Sequence, residues 1–295
     1  MLQKLQKFLE KAKNPLIVVL GPTASGKTDL SLNIAKKFNG EIISTDSRQI
    51  YKEMRISTDV LLLKDRQKVL HHLIEIAKPD VEITMSEFRD LAEEKIKEIY
   101  KRKHIPILVG GTGLYISSII DNYDMPHVPP DKKLRAKLEE EAKKKGKDFM
   151  YAKLNKLDPE AAKSIHPNNL RYVIRAIEKA KAPKSTKGES QFDTYLIGIK
   201  WPRAELYQRV DLRVDLQLKR GLIDEVKKLL KKGYPENLPS MSSLGVKEII
   251  PYIRGEQTLD ECTNILKQNT RNYAKRQVTW FRKYDTVHWL NPKDL

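Results

Sequence analysis

The sequence predicts an α/β protein: a parallel sheet core, an inserted helical domain and a helical C-terminal part. Three observations predict it. Over the first 120 residues, short apolar runs rich in β-branched residues alternate with stretches of helical periodicity. One of those runs is followed at once by GPTASGKT, residues 21–28, and then by a helical stretch. Beyond residue 124 the chain turns lysine-rich and helical, and a lone apolar strand pattern returns at 194–200.

Each element follows from its residues. MLQKLQKFLEKAKNP (1–15) has helical spacing, with Leu2, Leu5 and Leu9 on one face. It lacks the apolar stretch and small-residue cleavage site of a signal peptide. PLIVVL (15–20) is a strand buried on both faces, and GKTDLSLNIAKKF (26–38) is a helix. GEIIST (40–45) and LHHLIEI (70–76) are the next strands, TMSEFRDLAEEKIKEIYKRK (84–103) a helix, and IPILVGG (105–111) another buried strand. Continuous apolar strands with helices between them mean a parallel sheet covered on both faces. DNYDMPHVPPD (121–131) carries three prolines and marks a boundary. Three helices follow, over 132–146, 148–158 and 168–181. TYLIGIK (194–200) returns to the sheet, four helical segments follow, and DTVHWL (285–290) is a last short strand. The expected division is a core over 1–123, a helical insertion over 124–188, and a return to the core with C-terminal helices over 189–295.

The charge is uneven. The 295 residues hold 56 Lys and Arg against 39 Asp and Glu, a net +17. Residues 131–189 hold 17 basic and nine acidic residues, a net +8, and residues 264–283 hold six basic residues and no acids. Clustering of this kind favours a polyanionic partner over uniform decoration with lysine. The single cysteine, Cys262, excludes a disulfide framework and a cysteine-based zinc site, and reads as a buried thiol. The six histidines show no metal-ligand spacing, so His71, His72 and His166 read as structural. No apolar run is long enough to span a membrane, and a cytoplasmic location is expected.

Gly21-x4-Gly26-Lys27-Thr28 fits the P-loop pattern in its required context, after a strand and before a helix. The core is therefore expected to be P-loop NTPase-like. The loop Gly21-Pro22-Thr23-Ala24-Ser25-Gly26, through its backbone N–H groups (Pro22 has none) and the helix N-terminus, wraps an anion, Lys27 adds a point charge, and the Thr28 hydroxyl is placed for Mg²⁺. A nucleotide-hydrolysing P-loop protein also needs an Asp at the end of an apolar strand. Here IPILVGG ends in Gly110-Gly111-Thr112-Gly113, and the carboxylate of this kind is Asp46, in STDSRQIY, on a strand end expected to be adjacent. The glycines should let the backbone approach a ligand and aim the Thr112 hydroxyl at the same crevice. Asp46 can also cap a turn, and Thr112 can also cap the helix that follows it.

At these residues the chain resembles the tRNA dimethylallyltransferases, also called tRNA isopentenyltransferases. The resemblance runs through GPTASGKT, STDSRQIYK, HHLIEI, ILVGGTGLYI, HPNNLRYVIRAIE, YQRVDLRVDLQLKRGLIDEVKKLL and AKRQVTWFRK, over roughly 15–290. It implies transfer of a dimethylallyl group from dimethylallyl diphosphate to N6 of the adenine 3′ of the anticodon, in tRNAs reading U-initial codons. The P-loop would then hold an isoprenoid diphosphate. The resemblance implies Asp46 as base, with Lys27, Thr112 and Thr28-bound Mg²⁺ easing departure of the diphosphate, and Arg213 reaching that group. It implies tRNA contacts at Asp46, Ser47, Arg48, Gln49, Thr112, Arg135, Arg171, Arg175, Lys275, Arg276 and Gln277. The chain departs from the family pattern at Tyr172, at Leu244-Gly245-Val246-Lys247-Glu248, at 53–58 and over 181–191, which bears on tRNA choice more than on chemistry. Without the C-terminal zinc finger of the eukaryotic members, it resembles the bacterial form, and a monomer is expected. Three alternatives stay open. An adenylate isopentenyltransferase has no need of the basic insertion. A small-molecule kinase has no need of DSRQ with GGTGLY. A tRNA-binding protein without catalysis would not need Lys27, Asp46 and Thr112 together.

Overall fold

The computed structural model describes residues 1–61, 69–124, 131–180 and 186–294. The proline-rich stretch 121–131 and the divergent stretch 181–191 fall partly outside them. The chain divides into two compact units, Met1–Asn122 with Glu189–Leu295, and Tyr123–Gly188.

The first unit is built on one sheet. Its strands are β1 (Pro15–Leu20), β2 (Gly40–Ser44), β3 (His71–His72), β4 (Ile105–Gly110), β7 (Asp193–Ile199) and β8 (His288–Leu290), in the order β3-β2-β4-β1-β7-β8. All pairings are parallel: Ile17 lies opposite Ile107 on one side and Tyr195 on the other. The helices are α1 (Leu2–Lys11), α2 (Lys27–Phe38), α3 (Met85–Lys101), α4 (Gly113–Ile120), α8 (Arg203–Lys219), α9 (Leu222–Lys231), α10 (Val246–Ile253) and α11 (Leu259–Phe281). The pleat of β1 sorts its residues between two cores. Leu16, Val18 and Leu20 join Phe88, Ile96, Ile116, Val226, Ile249 and Phe281 on one face. Ile17 and Val19 join Leu5, Leu30 and Ile34 of α1 and α2 on the other. A strand buried on both faces can be apolar at every position, which is why PLIVVL shows no alternation.

The third strand is shorter than expected. Leu73 and Glu75 take left-handed φ values of 60° and 55°, which ends the ladder after His72. The backbone past that kink joins the 49–52 loop instead: Glu75 N donates to Gln49 O and Ile76 N to Ile50 O, each at 2.9 Å.

The second unit holds α5 (Lys132–Leu157), α6 (Pro159–Ser164), α7 (Leu170–Lys179) and a two-stranded antiparallel pair, β5 (Tyr123–Asp124) with β6 (Thr186–Lys187). Gly146, at φ 82°, breaks α5 into two helical runs. Leu138, Met150, Leu154, Val173, Ile174 and Ile177 form its own small core.

Candidate active site

The carboxyl ends of β1, β4 and β2 open on one crevice, where parallel sheets bind ligands. The P-loop follows β1, the GGTG turn follows β4, and Asp46 follows β2. Asp46 is thus on the strand end adjacent to the GGTG strand, as expected, since β2 pairs with β4. β4 lies between β2 and β1, pairing with both, so the GGTG turn separates Asp46 from the P-loop.

Gly26 takes φ 94° at the N-cap of α2, a conformation that favours glycine and turns the loop N–H groups inward. A cavity of about 680 Å³ lies over the loop, lined by Ala24 to Thr28 together with Ser44, Gln49 and Asp59. One face of α8 closes it with Arg209, Arg213 and Arg220. Arg213 Nη1 donates to Thr23 Oγ1 at 2.7 Å and Arg209 Nε to Ala24 O at 2.7 Å. Arg220 holds Asp59 at 2.6 Å, and Arg213 lies 3.5 Å from the same carboxylate. Only Arg213 was expected here. Arg209 and Arg220 lie four and seven residues from it, a helical spacing that could have marked both. Leu212 and Leu216 add apolar surface, being 62% and 56% exposed on the same cavity wall.

Lys27 Nζ donates to Pro22 O at 2.6 Å. Burial, and then the nearby Arg213, lower its pKa to about 7, while Asp46 pulls the other way. A phosphate placed in the loop would favour the charged form of Lys27.

Asp46 Oδ1 accepts from Arg48 N at 2.8 Å and Gln49 N at 3.4 Å, so it caps the DSRQ turn. No hydrogen bond ties Oδ2 to the described residues. Thr112 Oγ1 accepts from Ser47 N at 3.1 Å and does not cap α4. Tyr273 lies beside Thr112 and Asp46, and burial pushes the pKa of its phenol up to about 12. Tyr273, which the sequence reading missed, sits one helical turn before Gln277.

Three expectations change. Gln277, expected at an RNA surface, is buried. Its Oε1 accepts from Thr23 N at 2.8 Å and its Nε2 donates to Gly111 O at 2.9 Å, so it ties the P-loop to the GGTG turn. The glycines of that turn were expected to admit a ligand, but they admit protein. A Cβ at Gly110 would stand 2.3 Å from Thr45 Oγ1, at Gly111 2.0 Å from Gln277 Nε2, and at Gly113 2.2 Å from the Trp280 ring. Val246, expected to bear on tRNA choice, is wholly buried, and the 53–58 turn is clamped by Gln217 and Glu225. Gln217 Nε2 donates to Ile56 O and Ser57 O, and Glu225 accepts from Ile56 N and Ser57 N, at 2.7–2.9 Å.

The remaining expected residues stand as follows. Arg48 reaches Pro239 O and Ser242. Gln49 Nε2 donates to Thr58 O and Asp59 O at 3.3 and 3.4 Å, and its Oε1 accepts from Ser44 Oγ at 3.1 Å. Lys275 and Arg276 are exposed on α11. In the second unit Arg135 and Arg175 both pair with the buried Glu178, while Arg171 and Tyr172 are exposed. His72 bonds Glu41, and Cys262 is buried.

Fold and crevice define a P-loop-like α/β protein with a carboxylate, Asp46, beside the loop. The model of the IPP transferase family matches residues 49–284. The chain belongs to that family. It is 45% identical over 287 residues to the tRNA dimethylallyltransferase of Alkaliphilus oremlandii, covering 95% of this chain and 92% of that protein. It is 47% identical over 289 residues to that of Acetivibrio thermocellus, at 95% and 92%. Among solved structures, the tRNA isopentenylpyrophosphate transferase of Bacillus halodurans superposes with a TM-score of 0.72 at 41% identity, over 95% of this chain and 90% of that one. A eukaryotic dimethylallyltransferase described as acting on tRNA superposes with a TM-score of 0.81 at 29% identity, over 95% and 74%.

Proposed function

We propose that this chain transfers a dimethylallyl group from dimethylallyl diphosphate to N6 of the adenine 3′-adjacent to the anticodon, in tRNAs reading U-initial codons. The observation that carries the reading is one crevice in which an arginine-lined P-loop faces Asp46 and Thr112. The chain's close relatives bear the name of this activity.

The N6 lone pair is delocalised into the ring, so the amine needs positioning and a base. It attacks C1 of the dimethylallyl group. The C1–O bond breaks, and diphosphate leaves with the electron pair. The proton passes from N6 to Asp46 Oδ2, the oxygen that the turn leaves free, while Oδ1 stays tied to two backbone N–H groups. The loop amides, Lys27, Arg209 and Arg213 stabilise charge on the leaving group. Arg220 exchanges part of its hold on Asp59 for the diphosphate. Leu212 and Leu216 offer apolar surface to the isoprenoid carbons. Thr112 and Tyr273 lie beside Asp46.

The Thr28 hydroxyl lines the cavity, and the described residues contain no cluster of three or more acidic, His or Cys ligands. That donor set suits a Mg²⁺ that arrives on the diphosphate with waters of its own. When bound, the ion neutralises charge on the diphosphate.

The adenine must leave its stack to reach N6 attack geometry, at a cost of a few kcal/mol. The basic second unit and the exposed face of α11 offset that cost through contacts to the tRNA backbone and loop. One chain carries every group named, so a monomer suffices. A transfer assay tests the reading: protein, Mg²⁺ and radiolabelled dimethylallyl diphosphate with either tRNA or AMP. Label in tRNA, at the adenine beside the anticodon, is the expected result. Label in AMP alone would move the function to small-molecule chemistry, and label in neither would overturn it.

A further inference from the structure

A second cavity, of about 650 Å³, lies where the ends of β7, α8, α11 and β8 meet at Pro22. It shares no lining residue with the cavity over the P-loop. Its aromatic surface comes from Trp201, Tyr207, Tyr284 and Trp289. Two of the three indoles in the chain therefore face one space. Trp201, Tyr207 and Trp289 are held in place. Arg209 lies over one face of the Trp201 ring at 4.3 Å and Arg203 over the Tyr207 ring at 5.2 Å, which leaves Trp289 as the ring of these three without a cation on it among the described residues. The Trp201 indole N–H donates to Ser25 O at 2.9 Å. Trp289 lies across Gly198, where a Cβ would stand 2.5 Å from its ring, yet it remains 37% exposed. The Tyr207 hydroxyl accepts from Arg203 Nε at 3.0 Å.

The rim is cationic. Lys200, Arg203, Lys275 and Arg282 line it against a single acid, Asp285. The side chains of Lys275 and Arg282 make no ion pair or hydrogen bond among the described residues. Unpaired cations alone would suit any polyanion, and aromatic rings alone would suit any apolar group. Their presence together in a cavity of small-ligand size selects a ligand with a flat ring system and a phosphate.

We propose that this cavity is a ribonucleotide subsite: an unstacked base lies on the Trp201, Tyr207 and Trp289 surface, and its phosphate meets Arg203, Lys275 and Arg282. The nucleotide has two possible sources, a second loop nucleotide of the RNA substrate or a free nucleotide. The first source rests on the tRNA reading above. The second does not. Because Trp201 is bonded to the P-loop carbonyl of Ser25, occupancy here also braces the loop that holds the diphosphate.

The test uses the full chain carrying Trp280→Phe, so that emission arises from Trp201 and Trp289 alone. Inorganic diphosphate is held saturating to fill the P-loop. AMP, ribose 5-phosphate, dimethylallyl diphosphate and an anticodon stem-loop RNA are then titrated separately. AMP or the stem-loop should quench the emission. Ribose 5-phosphate and dimethylallyl diphosphate should not. Tyr207→Ala, which leaves both reporters in place, should weaken the quenching ligand about tenfold or more. Stem-loops made abasic at one loop position at a time separate the sources. Loss of quenching at one position assigns the site to a loop nucleotide, and quenching by AMP alone assigns it to a free nucleotide. Equal quenching by ribose 5-phosphate, no quenching by any ligand, or no effect of Tyr207→Ala would overturn the proposal. Transfer of label to tRNA with no quenching would sink this subsite and leave the proposed reaction standing.

Discussion

At the scale of single residues, the crevice separates groups that do chemistry from groups that hold them. On the proposed reaction Asp46 belongs to the first kind, because its free oxygen would be needed only as the new bond forms. Asp46→Ala should lower the single-turnover rate at least a hundredfold while tRNA affinity stays within a few-fold, and a rate within tenfold of the unmutated enzyme would sink the base assignment. Gln277 belongs to the second kind. Gln277→Ala removes both amide bonds between the P-loop and the GGTG turn. KM for dimethylallyl diphosphate should rise about tenfold, the equivalent of one net hydrogen bond, with tRNA affinity unchanged. Loss of tRNA affinity instead would restore the role expected from the sequence. Lys27 ties the site to pH. Its pKa near 7 means that at pH 8 the free lysine is largely neutral, whereas the diphosphate-bound form needs the cation. Calorimetry of diphosphate binding in buffers of different ionisation enthalpy should show extra proton uptake by this enzyme at pH 8 but not at pH 6. Lys27→Ala should lose that uptake. Lys27 was legible because the P-loop is local. Gln277 was not, since its partners lie 254 and 166 residues away.

At the scale of elements, the sheet is secured at the end away from the crevice. Glu41, near the start of β2 and 2% exposed, accepts from Arg102 after α3, from His72 of β3 and from His104 before β4. The Arg102 hydrogen bonds, with help from both histidines, lower its pKa to about 2. A carboxylate depressed in the folded state stabilises above its ordinary pKa and loses that contribution as pH falls toward the depressed value. Thermal stability should therefore drop between about pH 4.5 and pH 2. Glu41→Gln should lower stability at pH 7, because it removes the one charge that Arg102, His72 and His104 share, and should flatten the acid slope. Denaturant unfolding at several pH values checks both. Most elements were legible from their apolar spacing. The truncation of β3 was not, because left-handed turns at Leu73 and Glu75 are imposed by hydrogen bonds to the 49–52 loop, and no local pattern encodes them.

At the scale of the whole molecule, charge and fold point to the same partner. Residues 131–189 and 264–283 carry most of the net +17, and they fall on the second unit and on α11. Binding of tRNA should weaken steeply with salt, with several ions released, whereas a flat response in a filter-binding titration would make the basic clusters decoration. No helix among the described residues is long and apolar enough to cross a membrane. The sequence by itself determined the parallel sheet, the helical insertion, the P-loop and the identity of Asp46 and Thr112, because strand burial and phosphate cradles are written in short, contiguous patterns. Only the tertiary structure decided the strand order that sets β4 between the P-loop and Asp46, the arginine face of α8, the inward turn of Gln277 and the aromatic cavity at Trp201 and Trp289. Those depend on which distant segments pack together. The hydrophobic effect that drives such packing carries no direction, so side-chain fit across the assembled core selects the partners.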